Sequence, residues 1–330
     1  MLDTFLNKLW YTKKGESFYW FYLFISICLL PISGIYFIVM IIRSILYKYR
    51  VLRTIYFKKP VLVVGNSVIG GQGKTPLTIS LANELAQRGL KVGLVASGYK
   101  SRNKSLCNVL PNSNPRDVGD EAVLIARSTQ ASVIAGRDRI TATERLIEEN
   151  VDYIIHDDGL DHYQLGRKME IIVSKKKSYV DSISDNLKFC KLLPSGPWRT
   201  LKYHRMFDVI REFVDIEYET FQITHPLKNL KVPIEEFTEK HIHLVLGIAL
   251  PQIIKSELIE KGYIVDCHFY DDHHNFDGTE IKFNDNNPIF VTMKDYIKLE
   301  KYQNENLWIL NHRNKNKNLI KNLVDKITKI

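Results

Sequence analysis

The stretch VGNSVIGGQGKTPLTISLANELAQRG, residues 64–89, decides the fold. The apolar run VLVV at residues 61–64 leads into it and is typical of a strand buried in a parallel sheet. The glycines allow positive φ angles and bring several backbone N–H groups to one point. Leu77, Leu81 and Leu85 then recur at helical spacing and predict a helix. Gly89 is a favourable residue just past the end of that helix. A strand, a glycine-rich loop and a helix are therefore predicted in succession.

The loop has the features of a phosphate-binding site. The start of the helix offers an anion unpaired N–H groups and the positive end of the helix dipole. In such a loop Lys74 reaches the outer phosphates and the Thr75 hydroxyl binds Mg²⁺. The match to G-x-x-x-x-G-K-[ST] is incomplete because Val68 stands in place of the first glycine, so an ordinary glycine-rich turn is the alternative. The residues predicted to bind ATP are Gly70, Gly71, Gln72, Gly73, Lys74, Thr75 and Pro76.

The amino-acid composition limits the possible classes of protein but does not identify one. The 330 residues are enough for two domains with their own cores. Lys and Arg number 46 against 37 Asp and Glu, a basic balance that suits nucleic acid, an anionic membrane or a phosphorylated substrate. The four cysteines are scattered without metal-ligand spacing and indicate reduced, cytosolic thiols. The Lys/Asn-rich segment 311–330 is predicted to form a solvated terminal helix, with a nucleic-acid-binding tail as a second interpretation.

The N-terminal segment has the composition of a membrane anchor. Residues 17–42 carry no charge, and as one helix they would be roughly 39 Å long, more than the ~30 Å hydrocarbon core of a bilayer. Pro31 and Gly34 could bend this helix, which leaves open whether it spans the bilayer or lies in one leaflet. Basic residues and no acids follow it up to the first strand, so the positive-inside rule places this side in the cytoplasm.

Beyond the anchor, strand and helix patterns alternate. This alternation predicts an α/β fold: a P-loop NTPase-like parallel sheet domain and a smaller second α/β lobe. We divide the chain into an anchor with its basic segment (residues 1–55), a P-loop domain with a bridging segment (56–240) and a C-terminal lobe (241–330). Residues 175–240 read as irregular and are expected to link the lobes. The strand ends of both lobes would then face a shared cleft.

Two pairs of acidic residues lie at the ends of predicted elements in the first domain. Asp157 and Asp158 come just past the apolar strand 153–156, where a P-loop protein keeps the carboxylate that orders Mg²⁺; a simple turn is the alternative. Asp120 and Glu121 open a predicted helix. Acids are favoured in a first helical turn for structural reasons as well, so a catalytic role is one of two interpretations.

Three further polar residues are candidates. His273 follows a strand of the second lobe beside Asp272, and such a pair could accept a proton from a hydroxyl. Zinc is disfavoured there because adjacent histidines chelate poorly and no cysteine supports them. Arg199 ends the segment LLPSGPWR, residues 192–199, which we name the GP turn; its side chain could clamp a phosphate or serve the turn alone. His162 could bind a ligand or simply pack.

The chain resembles the tetraacyldisaccharide 4'-kinase family in the order of its motifs, and the resemblance covers nearly the whole chain. The motifs are GNSVIGGQGKTP, GDEA, DDGLDH, LLPSGPWR, DHHNF and TMKD. It implies an enzyme that uses ATP and Mg²⁺ to phosphorylate the 4'-hydroxyl of a tetraacyldisaccharide 1-phosphate in lipid A biosynthesis. It further implies a glycolipid partner at the inner membrane, a monomer, and no nucleic acid.

The resemblance also implies roles for particular residues. Asp120 corresponds to the catalytic base and His273 to its partner, with Lys74 acting on the phosphates. Metal contacts fall to Thr75, Asp157 and Asp158. Contacts with the substrate are assigned to Glu121, Arg139, His162 and Arg199.

The chain departs from the family pattern at several positions. Ser97 stands where the family has arginine, and Asp161 replaces a glutamine. Thr200 replaces the acid after the GP turn, Leu250 an asparagine, and Met293 the glutamate of the TEKD motif. These changes indicate a divergent member with altered substrate decoration, while Lys74 and Asp120 are kept.

Three other classes of protein fit the sequence less well. A membrane-associated P-loop ATPase switch usually carries a lysine just before the paired glycines, where this chain has Ile69. A scaffold with a relic nucleotide site would not need to keep Lys74, Asp120 and His273 together. Nucleic-acid binding rests on positive charge alone, which the membrane segment also explains.

Overall fold

A computed structural model describes residues 5–6, 9–10, 12, 15, 17–69, 71, 73–174, 192–199 and 209–330. Gly70, Gln72 and Thr200 lie outside these residues, as does Cys190. The other three cysteines, Cys28, Cys107 and Cys267, are free thiols.

A seven-stranded sheet forms the first lobe, in the order β3-β4-β2-β5-β1-β6-β7. All neighbouring pairs are parallel except β3 with β4. Residues 61–64 of β1 are buried because helices cover both faces of the sheet, which explains their unbroken apolar run. The strands are β1 Val61–Asn66, β2 Val92–Ala96, β3 Cys107–Asn108, β4 Ser132–Ala135, β5 Tyr153–Asp157, β6 Met169–Ser174 and β7 Ile210–Asp215.

Helices connect these strands and begin close to the predicted positions. The predicted strand at 153–156 is present, and strands also form at 92–96, 132–135 and 169–174 in alternation with helices, which confirms the α/β fold class for this lobe. After two N-terminal helices, named α1 and α2 below, the helices of the lobe are α3 Lys74–Gln87, α4 Pro115–Val118, α5 Asp120–Ser128 and α6 Arg139–Glu148.

A six-stranded sheet forms the second lobe, in the order β11-β10-β12-β13-β8-β9. The segment 175–240 is not simply irregular: β7 completes the first sheet, while β8 and β9 pair antiparallel on the edge of the second. The predicted boundary at residue 240 stays a prediction, although two strands before it belong to the second sheet. The elements are β8 Tyr218–His225, β9 Leu230–Pro233, β10 His241–Leu246, α7 Pro251–Glu260, β11 Ile264–Phe269, β12 Ile289–Thr292, α8 Met293–Leu299 and β13 Leu307–Asn314.

The terminal helix α9, Lys317–Ile327, returns to the first lobe. Leu323, Val324 and Ile327 are at most 3% exposed and join the core that contains Leu81 and Leu85 of α3. The expectation of a solvated helix was therefore wrong for one face. Its apolar residues recur at helical spacing within a polar segment and form a stripe that the lobe buries.

Residues 19–48 form two helices rather than one straight rod: α1 Tyr19–Cys28 and α2 Leu30–Lys48. The break falls at Leu29, because Pro31 has no N–H to continue the hydrogen-bond ladder. By length and composition α2 could cross a membrane, with a mean hydropathy of 1.8. The exposed face carries Ile35, Ile38, Val39 and Ile42, whereas Ser33 and Met40 are buried against the protein.

Candidate active site

The phosphate loop joins β1 to α3 at the carboxyl edge of the first sheet. Gly73 precedes the helix with φ 83°, a left-handed conformation that favours glycine. A side chain here would also collide with Tyr218 of β8, whose ring would lie 2.5 Å from the added Cβ. The Tyr218 hydroxyl donates a hydrogen bond to the Gly73 carbonyl at 3.2 Å. The loop is thus covered by a residue for which the sequence carried no signal.

Asp157 at the end of β5 lies against the first turn of α3. The Thr75 hydroxyl donates to one carboxylate oxygen at 2.8 Å, and the Thr78 hydroxyl donates to the other at 3.1 Å. Burial, reinforced by the charge of Glu121, raises the pKa of Asp157 to about 6. A hydroxyl bonded to a carboxylate beside a phosphate loop is the oxygen donor set that Mg²⁺ takes together with nucleotide phosphates. Thr75 and Asp157 therefore fit a magnesium ion.

Asp158, the next residue, has a different environment. Lys74 Nζ lies 2.8 Å from its carboxylate, and Arg199 Nη1 lies 3.2 Å from it on another side. Burial opposes its ionisation, but Lys74 and Arg199 outweigh burial and lower the pKa of Asp158 to about 2. The backbone is left-handed here, at φ 52°. A phosphate bound by Lys74 would compete with this carboxylate.

The two lobes meet at a pair of side chains. Nδ1 of His273 lies 2.9 Å from both carboxylate oxygens of Asp120. Asp120 opens α5, and His273 follows β11 at φ 63°, an uncommon angle for histidine. Burial opposes ionisation of Asp120, yet the His273 hydrogen bond and Lys294 hold its pKa well below the usual range. At neutral pH the pair presents an ionised carboxylate.

Two lysines of α8 complete this cluster, and neither was among the predicted site residues. Lys294 Nζ lies 3.0 Å from Asp272, 3.3 Å from Glu121 and 3.3 Å from His273 Nε2. Lys298 Nζ lies 3.5 Å from Asp120. Four residues apart, both lysines lie on one face of the helix. The available signal was the TMKD motif at a strand end, which we read as a departure from the family.

A cavity of about 320 Å³ adjoins this cluster. It lies between the loop after β2, the start of α5 and α8. Its walls include Tyr99, Lys100, Asp120, His273 and Lys298. The catalytic candidates therefore border an open space with cationic walls, which suits a polar or anionic ligand.

The remaining predicted substrate residues differ in burial and in the groups that they contact. Arg139 is 3% exposed, and its guanidinium donates to the carbonyls of Val95 and Asp157. It ties two strand ends together and does not lie open to a substrate, which corrects our hypothesis for this residue. Glu121 contacts Lys294 of the other lobe. Burial and Arg139 lower the pKa of the half-buried His162 to about 4, so its ring is neutral at pH 7.

Two features define this protein as a P-loop nucleotide-dependent enzyme. One is the strand, loop and helix that carry Lys74 and Thr75, and the other is the acid at the end of the neighbouring parallel strand. The chain belongs to the tetraacyldisaccharide-1-P 4'-kinase family, whose model matches residues 25–329. The family resemblance drawn from the sequence is therefore confirmed, and the protein is a kinase.

Relatives of known name and structure agree with this assignment. The tetraacyldisaccharide 4'-kinase of Ruthia magnifica is 35% identical over 298 residues, covering 87% of this chain and 92% of its own. That of Nitrosococcus oceani is 34% identical over 318 residues, covering 93% and 89%. The solved structure of LpxK from Aquifex aeolicus in complex with ATP is similar to this fold with a TM-score of 0.72 and 25% identity, covering 92% of this chain and 99% of its own.

Proposed function

We propose that this kinase transfers the γ-phosphate of ATP to the 4'-hydroxyl of a tetraacyldisaccharide 1-phosphate, a lipid A precursor. The observation that carries the proposal is the Asp120–His273 contact, which joins the two lobes beside an open cavity. Family membership supplies the substrate class. We include Mg²⁺ as a cofactor because Thr75 and Asp157 form a fitting donor pair.

The residues divide the reaction between them. Backbone N–H groups of the loop and Lys74 hold the phosphates, and Thr75 with Asp157 would hold the metal. Magnesium, when bound, neutralises charge that develops on the transferring phosphoryl group. Asp120 accepts the proton of the sugar hydroxyl, while His273 donates to its carboxylate and fixes its orientation. The low pKa of Asp120 makes it a weak base, which suits proton transfer late in a loose transition state.

The same proposal places the protein at the inner membrane with its active site on the cytoplasmic side. The exposed face of α2 is apolar, and Arg50, Arg53, Lys58 and Lys59 follow it. The opposite face of α2 contacts polar loops of the kinase domain, which could not enter hydrocarbon without desolvation. We therefore place α1 and α2 in one leaflet as an interfacial anchor of a monomer that binds no nucleic acid.

The test is phosphate transfer by purified full-length protein. ATP, Mg²⁺ and the disaccharide 1-phosphate lipid in detergent should yield a bisphosphorylated lipid. Lys74→Ala should lower turnover by about 10²–10³-fold, the usual loss when one charge-stabilising donor is removed, while circular dichroism stays unchanged. ATP hydrolysis that is independent of the lipid, with no lipid product, would instead indicate an ATPase switch and refute the proposal.

A further inference from the structure

One face of α2 is a row of residues that contact the kinase domain. The spacing of the row alternates between three and four, which aligns its members along one side of a helix. Tyr47 stacks on Tyr163 with ring centroids 5.5 Å apart, and Arg43 donates to the carbonyl of Asp161 at 3.2 Å. The row consists of Ser33, Tyr36, Met40, Arg43 and Tyr47.

The first two residues of the row hold the GP turn. Ser33 Oγ lies 2.8 Å from Ser195 Oγ and accepts a hydrogen bond from the Ser195 N–H at 3.1 Å. Ser195 is 2% exposed, so this contact is shielded from water. The Tyr36 hydroxyl donates to the Arg199 carbonyl at 2.6 Å. The helix therefore binds the middle and the end of the turn.

The GP turn also forms backbone hydrogen bonds with the start of the phosphate loop. Ile69 N–H donates to the Pro197 carbonyl at 2.8 Å, and Arg199 N–H donates to the Ser67 carbonyl at 2.8 Å. Val68 and Trp198 form an antiparallel bridge between these two bonds. One continuous set of hydrogen bonds thus runs from α2 through the turn into the loop.

The Arg199 side chain extends this connection to the charged centre. Its guanidinium contacts Asp158, which also contacts Lys74. The carbonyl of Arg199 is held by Tyr36 and its N–H by Ser67, so both ends of its backbone are fixed. A rigid backbone holds a long side chain more closely to one position, because fewer of its conformers remain accessible.

We propose that Ser33 and Tyr36 are positioning residues of the kinase: through the GP turn, α2 fixes Arg199 and the start of the phosphate loop. The anchor is then a support of the active site as well as an attachment to lipid. This inference rests on the proposed function for its kinetic readout, but its structural readout is independent of the substrate.

The decisive variant is Tyr36→Phe, which removes one hydroxyl and keeps the ring. Loss of a single hydrogen bond corresponds to about a two- to tenfold change, and we expect kcat in detergent to fall by this factor. The KM for ATP should stay within about twofold of wild type, and the Tm should fall by a few degrees at most, the shift expected for loss of one hydrogen bond. Tyr49→Phe, at the exposed end of the same helix, is the matched control and should behave as wild type.

Hydrogen exchange measured on the full-length protein supplies the second readout. In Tyr36→Phe and in Ser33→Ala, amides within residues 67–69 and 192–199 should exchange faster, whereas Tyr49→Phe and Ser44→Ala should leave them unchanged. Unchanged exchange in both test variants would overturn the inference. This comparison decides it even if wild-type protein phosphorylates no lipid, an outcome that would refute the proposed function alone.

A double-mutant cycle with Arg199→Ala separates positioning from a general loss of structure. If Tyr36 acts by placing Arg199, the loss caused by Tyr36→Phe should shrink once the arginine side chain is absent. Losses that multiply fully in the double variant would show that Tyr36 does not act through Arg199 and would overturn the assignment.

Discussion

Two adjacent carboxyl groups, Asp157 and Asp158, are given opposite properties by their neighbours. The Asp157 carboxylate is buried and accepts hydrogen bonds from the hydroxyls of Thr75 and Thr78, and its pKa rises to about 6. Asp158 contacts Lys74 and Arg199, and its pKa falls to about 2. A metal ion that binds Asp157 would relieve the cost of keeping its charge buried.

The raised pKa of Asp157 predicts a pH-dependent stability. Because the folded state binds this proton more tightly than the unfolded chain, the contribution of Asp157 to stability is greatest below about pH 4 and is lost as pH rises through about 6. Asp157→Asn removes the titration. Its stability relative to wild type should rise by about 2–3 kcal/mol between pH 4 and pH 7, measured by urea unfolding without metal. A difference that does not vary with pH would contradict the assigned pKa.

The Asp120–His273 contact predicts kinetic coupling. Asp120→Asn should lower kcat by about 10²–10⁴-fold, the range for loss of a general base, with little change in ATP affinity. His273→Ala should cost less, because it only orients the base. The double variant should lose less than the product of the two, since the pair acts as a unit.

Two steady-state results would count against this pair. Independent, fully multiplying losses would show that the residues do not act together. A weakened affinity for Mg·ATP in Asp120→Asn would assign Asp120 to the metal site instead.

At the scale of elements, the C-terminal helix α9 is the least expected feature. It leaves the second lobe, packs Val324 and Ile327 into the core of the first, and pairs Asp325 with Arg88 of the first lobe at 2.6 Å. The first lobe is therefore completed by residues from the far end of the chain.

This packing predicts that shortening one side chain of α9 destabilises the first lobe. Ile327 is fully buried, so Ile327→Ala should lower the free energy of unfolding by about 2–5 kcal/mol. Ile330→Ala, three residues later and 37% exposed, is the control and should change it by less than about 0.5 kcal/mol. Denaturant unfolding of both variants provides the comparison, and equal losses would show that α9 does not complete the core.

At the scale of the whole molecule, α1 and α2 expose a row of apolar side chains on one side of the protein. The apolar residues that face away from the kinase domain lie on the same helix, α2, that contacts the GP turn through Tyr36, and basic residues follow this helix in the sequence. The GP turn thus contacts both α2 and the start of the phosphate loop.

This arrangement predicts where polar substitutions impair membrane binding. Replacing Ile35 and Ile42 with asparagine should lower partition into anionic vesicles at least about tenfold, because each buried isoleucine contributes about 1.5–3 kcal/mol. Replacing the exposed Ile253 and Ile264 of the second lobe in the same way should leave partition unchanged. Vesicle flotation measures both, and equal partition of the two double variants would refute the assigned face.

The sequence by itself determined the local features. The strand, loop and helix of residues 61–89, the position of Asp157 at a strand end and the start of α5 at Asp120 all follow from periodicity and from the preferences of neighbouring residues. The α/β class and the family resemblance, both confirmed, depend on such local motifs and their order.

Only the tertiary structure decided which of these residues meet. Asp120 and His273 are 153 positions apart, and Ser33 and Ser195 are 162 apart. Whether the side chain of Arg139 faces a substrate or the sheet also depends on packing, because the sequence does not show whether an arginine is buried or exposed. Contacts between distant segments are set by how whole elements pack, and no local pattern encodes that packing.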